Sequence, residues 1–368
     1  MSVPRRGRIV IVGGGPAGAA SAVALRGAGH EGPIVLLAEE PVAPYSRPPL
    51  SKAFLRGDVA LADLSLETAD AECRLGVRAT SVDLDARRIR TSDGEALAYD
   101  GLVLAMGMSV RRPADTEVAV LATAADAASL APRLARAASV AVVGSGFLAY
   151  ELASAARTAG AETTLVTRPH ALAARIGILG GVLTRRARTA GVRVVASAGG
   201  DFREGTVITA EGARIEADLV IAAVGGDLDA AIAPAYARTG FVADDRCRLR
   251  PDVVVAGDAA LLRIGDRVHR DPTWTNALAQ GAAAARGLLH SDAPAFLPRP
   301  YAWTEAFGID VKIAGAPPVG VVPVVVEGDL DADHALLTWP GGAAAVGYRI
   351  PIARLRALAD PQPATLDA

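Results

Sequence analysis

One turn sequence occurs twice in this chain, and each copy sits between a β-branched run and an Ala-rich helical stretch. The first copy follows Arg8-Ile9-Val10-Ile11-Val12 and reads Gly13-Gly14-Gly15-Pro16-Ala17-Gly18. A helical stretch, Ala19 to Ala28, and a second apolar run, Ile34 to Leu37, come next, and the pattern ends at Glu39. The second copy follows Val140-Ala141-Val142-Val143 and reads Gly144-Ser145-Gly146-Phe147-Leu148-Ala149. Tyr150 to Ala159 is then helical and Thr163 to Val166 forms the next strand. Strand, glycine turn, helix and strand in this order form a parallel βαβ unit that cradles a dinucleotide. Two such units predict an α/β protein with two Rossmann-like dinucleotide-binding domains.

Each position in the first turn has a physical task. Gly13 permits the tight turn, Gly15 lets the backbone approach a pyrophosphate, and Gly18 lets helix and strand pack closely. The helix opening at Pro16 and Ala17 presents free N–H groups and a positive dipole end to phosphate. Glu39 stands where a carboxylate accepts from ribose hydroxyls. A ligand-free Gly-rich turn explains a lone fingerprint, but not a strand, helix and acid in register with it. The second turn offers Gly144, Gly146, Phe147 and Leu148 to a second dinucleotide. Two dinucleotides in one chain point to hydride transfer.

The second copy departs in two places. Ala149 replaces the third glycine. The acid after the second strand is missing; Thr167 stands there, followed by Arg168, His170 and Arg175. A carboxylate repels a 2′-phosphate, whereas arginine pairs with it. NADPH is therefore expected over NADH, the alternative being that Arg168 is an ordinary surface residue.

With 368 residues, two or three domains are expected. Hydrophobic residues make up 51% but aromatics only 4%, so the cores must be built from Ala, Val, Leu and Ile. A net charge of −2 without long single-sign runs gives no reason to expect a nucleic-acid partner. No segment approaches the roughly 20 apolar residues of a membrane span. Cys73 and Cys247 are far apart, without a Cys-x-x-Cys, so neither a redox disulfide nor a zinc site is indicated. His30, His269, His290 and His334 have no metal-ligand spacing, and no metal is expected. Two isolated thiols fit a reducing compartment, and a cytoplasmic location is expected.

The stretch Glu39-Glu40-Pro41-Val42-Ala43-Pro44-Tyr45-Ser46-Arg47-Pro48-Pro49-Leu50-Ser51-Lys52 closely resembles ferredoxin reductases of the putidaredoxin and rhodocoxin reductase type, within the FAD-dependent pyridine nucleotide reductase superfamily. Leu102-Val103-Leu104-Ala105-Met106-Gly107 is similar to the strand ending the family's first FAD segment. Val253-Val254-Val255-Ala256-Gly257-Asp258-Ala259 resembles its second FAD strand, which places Asp258 on the ribityl chain. Thr273-Trp274-Thr275-Asn276-Ala277, with Gln280-Gly281, resembles the helix start facing the flavin, and Trp303-Thr304-Glu305 the entry to the C-terminal domain.

The resemblance covers nearly the whole chain and implies its organisation. It implies a discontinuous FAD domain (1–111 and 238–294), a nicotinamide domain (112–237) and a small α/β C-terminal domain (295–368) that helps dock an iron–sulfur partner. It assigns FAD contacts to Glu40, Arg47, Val82, Ala105, Gly107, Gly257, Trp274 and Asn276, and nicotinamide contacts to Gly225. Departures are Met106 for a threonine, Ala122 where relatives often carry an Arg, Gly225-Gly226-Asp227 for Gly-x-Arg-Pro-Asn, and a short segment from Arg112 to Leu121.

Hydride transfer asks little of side chains. Only Lys52 and Lys312 are lysines among 38 basic residues, so Lys52 is expected to supply a point charge near flavin N5. In relatives an acid matching Glu151 pairs with that lysine, so a Lys52–Glu151 ion pair is expected. The bland reading of Glu151 is an acid favoured by the helix dipole. Trp303 is a candidate for shielding the ring or carrying electrons, against plain packing. Where disulfide reductases of the superfamily carry a Cys pair, this chain has Arg47-Pro48-Pro49-Leu50. The expected activity is therefore NADPH-driven reduction of FAD, then single-electron transfer to a ferredoxin feeding an oxygenase such as a cytochrome P450, by a monomer or homodimer. Two other readings stay open: a flavin enzyme acting directly on oxygen, a quinone or a small metabolite, and a non-enzymatic redox-sensing module.

Overall fold

The computed structural model describes residues 3–115, 117–203, 205–229, 232–233, 236, 240–318 and 320–359. The expected boundary at 237/238 and the terminus from 360 lie outside the described residues. The chain divides into two compact units. The first is Met1–Arg47, Leu61–Ser109 and Gly226–Arg299; the second is Pro48–Ala60, Val110–Gly225 and Pro300–Ala368.

The first unit is built on a six-stranded sheet in the order Arg248–Arg250, Val253–Val255, Gly101–Leu104, Ile9–Val12, Ile34–Ala38, Glu72–Leu75. Its neighbours run parallel except at the Arg248–Arg250 edge. The inner strands read as unbroken apolar runs because both faces are covered; Ile9, Ile11, Leu36, Leu102 and Leu104 are fully buried. Two helices, Pro16–Gly27 and Trp274–Leu289, approach within backbone contact. A Cβ on Gly281 would lie 2.3 Å from the Ala17 carbonyl oxygen, so only glycine fits. The Ser21 hydroxyl donates to the carbonyls of Ala17 and Gly281 across the same crossing.

The second unit carries a five-stranded parallel sheet in the order Arg193–Ala196, Glu162–Thr167, Ser139–Gly144, Leu219–Ala223, Ala119–Val120. The helix Phe147–Thr158 leaves its central strand. A five-stranded antiparallel sheet spans Tyr301–Val346 and is closed by the helix Ile352–Ala359, with Tyr301, Leu336, Ala345 and Leu355 in its core. Its first strand docks on Phe147–Thr158: the Thr304 hydroxyl donates to Glu151 Oε1 at 2.8 Å, and the Phe307 N–H to Ser154 Oγ at 2.7 Å. Glu151 and Ser154 lie three residues apart and share one helix face. Among the described residues no helix is long and apolar enough to cross a membrane.

Candidate active site

The first glycine turn is fixed by backbone crowding. Gly13 has φ +117°, and a Cβ there would stand 2.3 Å from the Ala105 carbonyl oxygen. A Cβ on Gly18 would stand 2.0 Å from the Gly13 carbonyl oxygen. Gly15, by contrast, faces open space within 4 Å. The helix Pro16–Gly27 starts with no side-chain cap, whereas Ala124–Leu134 and Trp274–Leu289 are capped by Thr123 and Thr273. Uncapped amides facing open space are what an anion requires.

Around this turn the chain places Gly257, whose N–H donates to Gln280 Oε1 at 2.7 Å. A Cβ on Gly257 would lie 3.1 Å from that of Ala17. Burial raises the Asp258 carboxyl above the ordinary carboxylate range, opposed by Arg270 and Arg47. Glu39 is exposed, one residue past its strand, with Arg78 3.9 Å away. Glu40 is engaged instead, accepting from Tyr45 and Arg47 at 2.7 Å each, while the Arg47 guanidinium lies over the Tyr45 ring. Gly107, at φ +68°, faces open space. Trp274 opens its helix half-buried, and the Asn276 amide donates to the Asp271 carbonyl. Val82 packs into the core, paired with Ile89 on the neighbouring strand.

The second turn repeats this design with different contacts. A Cβ on Gly144 would meet the Ala223 carbonyl oxygen at 2.5 Å and the Ala149 Cβ at 2.9 Å. Gly146 faces open space except for the Arg175 guanidinium, 3.9 Å from its ideal Cβ. The helix that opens at Phe147 and Leu148 again lacks a side-chain cap. Ser145 Oγ accepts from the Arg168 N–H at 2.9 Å and bonds the Thr167 hydroxyl at 3.1 Å, bracing the turn to the end of the next strand. Gly225, at φ +87°, accepts from the Arg111 N–H.

Strand register corrects one sequence expectation. Val12 stands beside Leu37, and Val143 beside Val166. Two residues further on are Glu39 in one fold and Arg168 in the other. Arg168, not Thr167, therefore occupies the place of the acid; Thr167 is the buried counterpart of Ala38. Arg168 and Arg175 are both exposed and have no ion-pair partner among the described residues.

The expected Lys52–Glu151 pair forms within the second unit. Lys52 Nζ lies 2.7 Å from Glu151 Oε2, with side chains 11% and 7% exposed. A buried pair this close leaves a costly lone charge if either partner is removed. Lys52 Nζ also donates to the Pro48 carbonyl at 3.2 Å. Trp303 is half-buried, its ring 6.0 Å from that of Tyr301.

Comparison with known proteins gives these features a family. Residues 7–281 match the pyridine nucleotide-disulphide oxidoreductase model. The chain belongs to that family. It is 32% identical to a rubredoxin-NAD(+) reductase of Pseudomonas putida, covering 84% of this chain and 86% of the relative. It is 33% identical to a rhodocoxin reductase of Rhodococcus erythropolis, covering 88% and 81%. The structure of a covalent putidaredoxin reductase–putidaredoxin complex superposes with a TM-score of 0.85 at 27% identity, covering 97% of this chain and 94% of that one.

As a member of this family the chain is a nicotinamide-dependent reductase, with FAD and a pyridine nucleotide as cofactors. Its residues fit both groups. The first cradle has open space at Gly15 and a half-buried carboxyl at Asp258, a group able to bond a ribityl hydroxyl. The second has open amides at Gly146 with a guanidinium alongside. Unlike what the family name implies, the two cysteines form no disulfide: Cys73 and Cys247 are both free, and burial pushes the Cys247 thiol up to about 12.

Three polar groups at these sites escaped single-residue sequence reasoning. Ser51 and Thr304 both bond Glu151, and Gln280 holds the Gly257 amide. Each lay inside a recognised string, but its partner is distant in sequence and no local spacing signals it.

Proposed function

We propose that this chain is a ferredoxin reductase that takes hydride from NADPH onto FAD and passes single electrons to an iron–sulfur ferredoxin serving an oxygenase, such as a cytochrome P450. The observation that carries this reading is the pairing of two uncapped glycine cradles in a chain with no cysteine pair. When bound, FAD accepts two electrons together and releases them singly. Without a dithiol, electrons leave the flavin for an external acceptor. The names of its relatives, which include rubredoxin-NAD(+) reductase and the chlorobenzene dioxygenase ferredoxin reductase component of a Cupriavidus strain, support a small iron–sulfur protein as that acceptor.

In this assignment, residues 1–111 and 238–294 hold FAD, 112–237 hold the nicotinamide and 295–368 form the C-terminal domain. Gly13, Gly15, Pro16, Ala17 and Gly18 take the FAD pyrophosphate, Glu39 its ribose and Asp258 its ribityl chain. Gly144, Gly146, Phe147 and Leu148 take the nicotinamide pyrophosphate, assisted by Arg175. Arg168, in the acid's place, takes a 2′-phosphate. Lys52, anchored by Glu151, serves flavin reduction. The separate thiols support a cytoplasmic setting.

NADH is the second reading of the nicotinamide, favoured because relatives are named NAD(+) reductases. Anaerobic rapid mixing of the flavin-loaded protein with NADPH or NADH decides between them. Faster bleaching by NADPH is expected, and faster bleaching by NADH removes the role given to Arg168. Adding a ferredoxin should then restore the flavin colour. Rapid reoxidation by oxygen or a quinone alone, with no response to any ferredoxin, would sink the partner assignment.

A further inference from the structure

Glu151 is held at both of its carboxylate oxygens, by hydroxyls from segments 100 and 153 residues away in the chain. Oε2 receives Lys52 Nζ at 2.7 Å and Ser51 Oγ at 2.5 Å. Oε1 receives Thr304 Oγ1 at 2.8 Å. Ser51 Oγ also lies 3.4 Å from Lys52 Nζ, so serine, lysine and carboxylate close a triangle. Ser51, Glu151 and Thr304 are all buried. A carboxylate with a donor on one side only can swivel about its terminal torsion, which is broad. Donors on both oxygens fix its plane and keep both satisfied away from water.

From this geometry we infer that Ser51 and Thr304 are positioning residues: they lock the Glu151 carboxylate so that the Lys52 ammonium is held in one orientation. The inference rests on the reading that Lys52 serves flavin reduction. A purely architectural explanation of the Thr304 bond is weakened by its neighbour. The Phe307 N–H to Ser154 Oγ bond, one residue past the end of the strand, already staples it to the same helix face. The Thr304 hydroxyl is therefore not needed to dock the strand, and Ser154 supplies a built-in control.

The test uses the FAD-loaded full chain, mixed anaerobically with NADPH and with NADH. Thr304→Val keeps the shape and removes the donor; Ser51→Ala removes the donor at the other oxygen and serves if Thr304→Val does not load FAD. Each is expected to lower the limiting rate of flavin bleaching roughly tenfold with the nicotinamide KM unchanged. Thr304→Ser should restore the rate. In a Glu151→Gln background, Thr304→Val should cost nothing further, because there is no carboxylate left to orient. Ser154→Ala should lower the melting temperature and leave the rate alone. The inference is overturned if Thr304→Val and Ser51→Ala bleach at the wild-type rate, or if the Thr304→Val and Glu151→Gln losses simply multiply. A wild type bleached by neither nicotinamide overturns the functional reading instead, and this inference with it.

Discussion

The two nucleotide folds are the same device built twice, and their differences locate what each copy is for. Both helices end in the same elbow. Gly29 and Gly160 take positive φ, and Arg26 and Arg157 reach over to the carbonyls of His30 and Ala161 at 2.8 Å. The third position of the turn differs because its surroundings do. At Gly18 the Gly13 carbonyl occupies the space a side chain would need, whereas Ala149 sets its methyl into room left by Gly144. The end of the second strand differs in charge: Glu39 in one fold, Arg168 in the other. Shared backbone crowding is thus the cost of the fold, and on the proposed assignment the unshared side chains carry the choice of ligand.

The largest effect expected from breaking this parallel is at the third glycine. Gly18→Ala should destabilise the first unit by about 3 kcal/mol and abolish FAD retention, because the methyl meets backbone that cannot yield. Flavin absorbance of the purified variant and its melting curve check this. Charge comes next. Arg168→Glu gives the second fold the sign of the first and should shift the NADPH-to-NADH preference toward NADH by roughly a hundredfold, read as the ratio of kcat/KM values.

A smaller effect concerns the elbow, where His30 is buried at the position that Ala161 holds in the other fold. Burial, and then the Arg26 guanidinium, push its pKa below the ordinary 6.5. The folded ring thus resists a proton that the unfolded chain accepts. Its stability contribution is complete above about pH 6.5 and is lost as pH falls below that, by at most about 1.4 kcal/mol per pH unit. Melting curves between pH 7.5 and 5.5 should show a shallower decline for His30→Ala than for the wild type. The mildest change is Ala149→Gly, expected to cost about 1 kcal/mol of helix stability while leaving nicotinamide binding intact. If it abolishes binding, the methyl has a role beyond filling space.

Much of this was readable along the chain because its cause is local. The parallel strands announce themselves as unbroken Val, Ile and Leu runs, and the turns as glycines at fixed offsets. The helices begin a few residues earlier than hydrophobic runs alone imply, Pro16 and Phe147 rather than Ala19 and Tyr150, because the turn residues themselves enter the first helical turn. The Lys52–Glu151 pair came from family likeness, since nothing in the spacing of residues 99 apart requires it. What local pattern could not reveal is long-range convergence. Thr304 on Glu151, Gln280 on Gly257, the register that promotes Arg168 over Thr167, and the grouping of Pro48–Ala60 with the second unit all depend on how distant segments pack.

A cell dissolves flavin and pyridine dinucleotides in the same water, and their adenosine halves are near twins. Backbone amides cannot tell such twins apart, so a protein with two berths risks loading errors. Under the proposed assignment, Glu39 and Arg168 act as a sorting rule: a phosphorylated adenosine meets repulsion at one berth, and a bare one forgoes its best contact at the other. On that assignment, two side chains remote from any electron guard the order in which charge can flow.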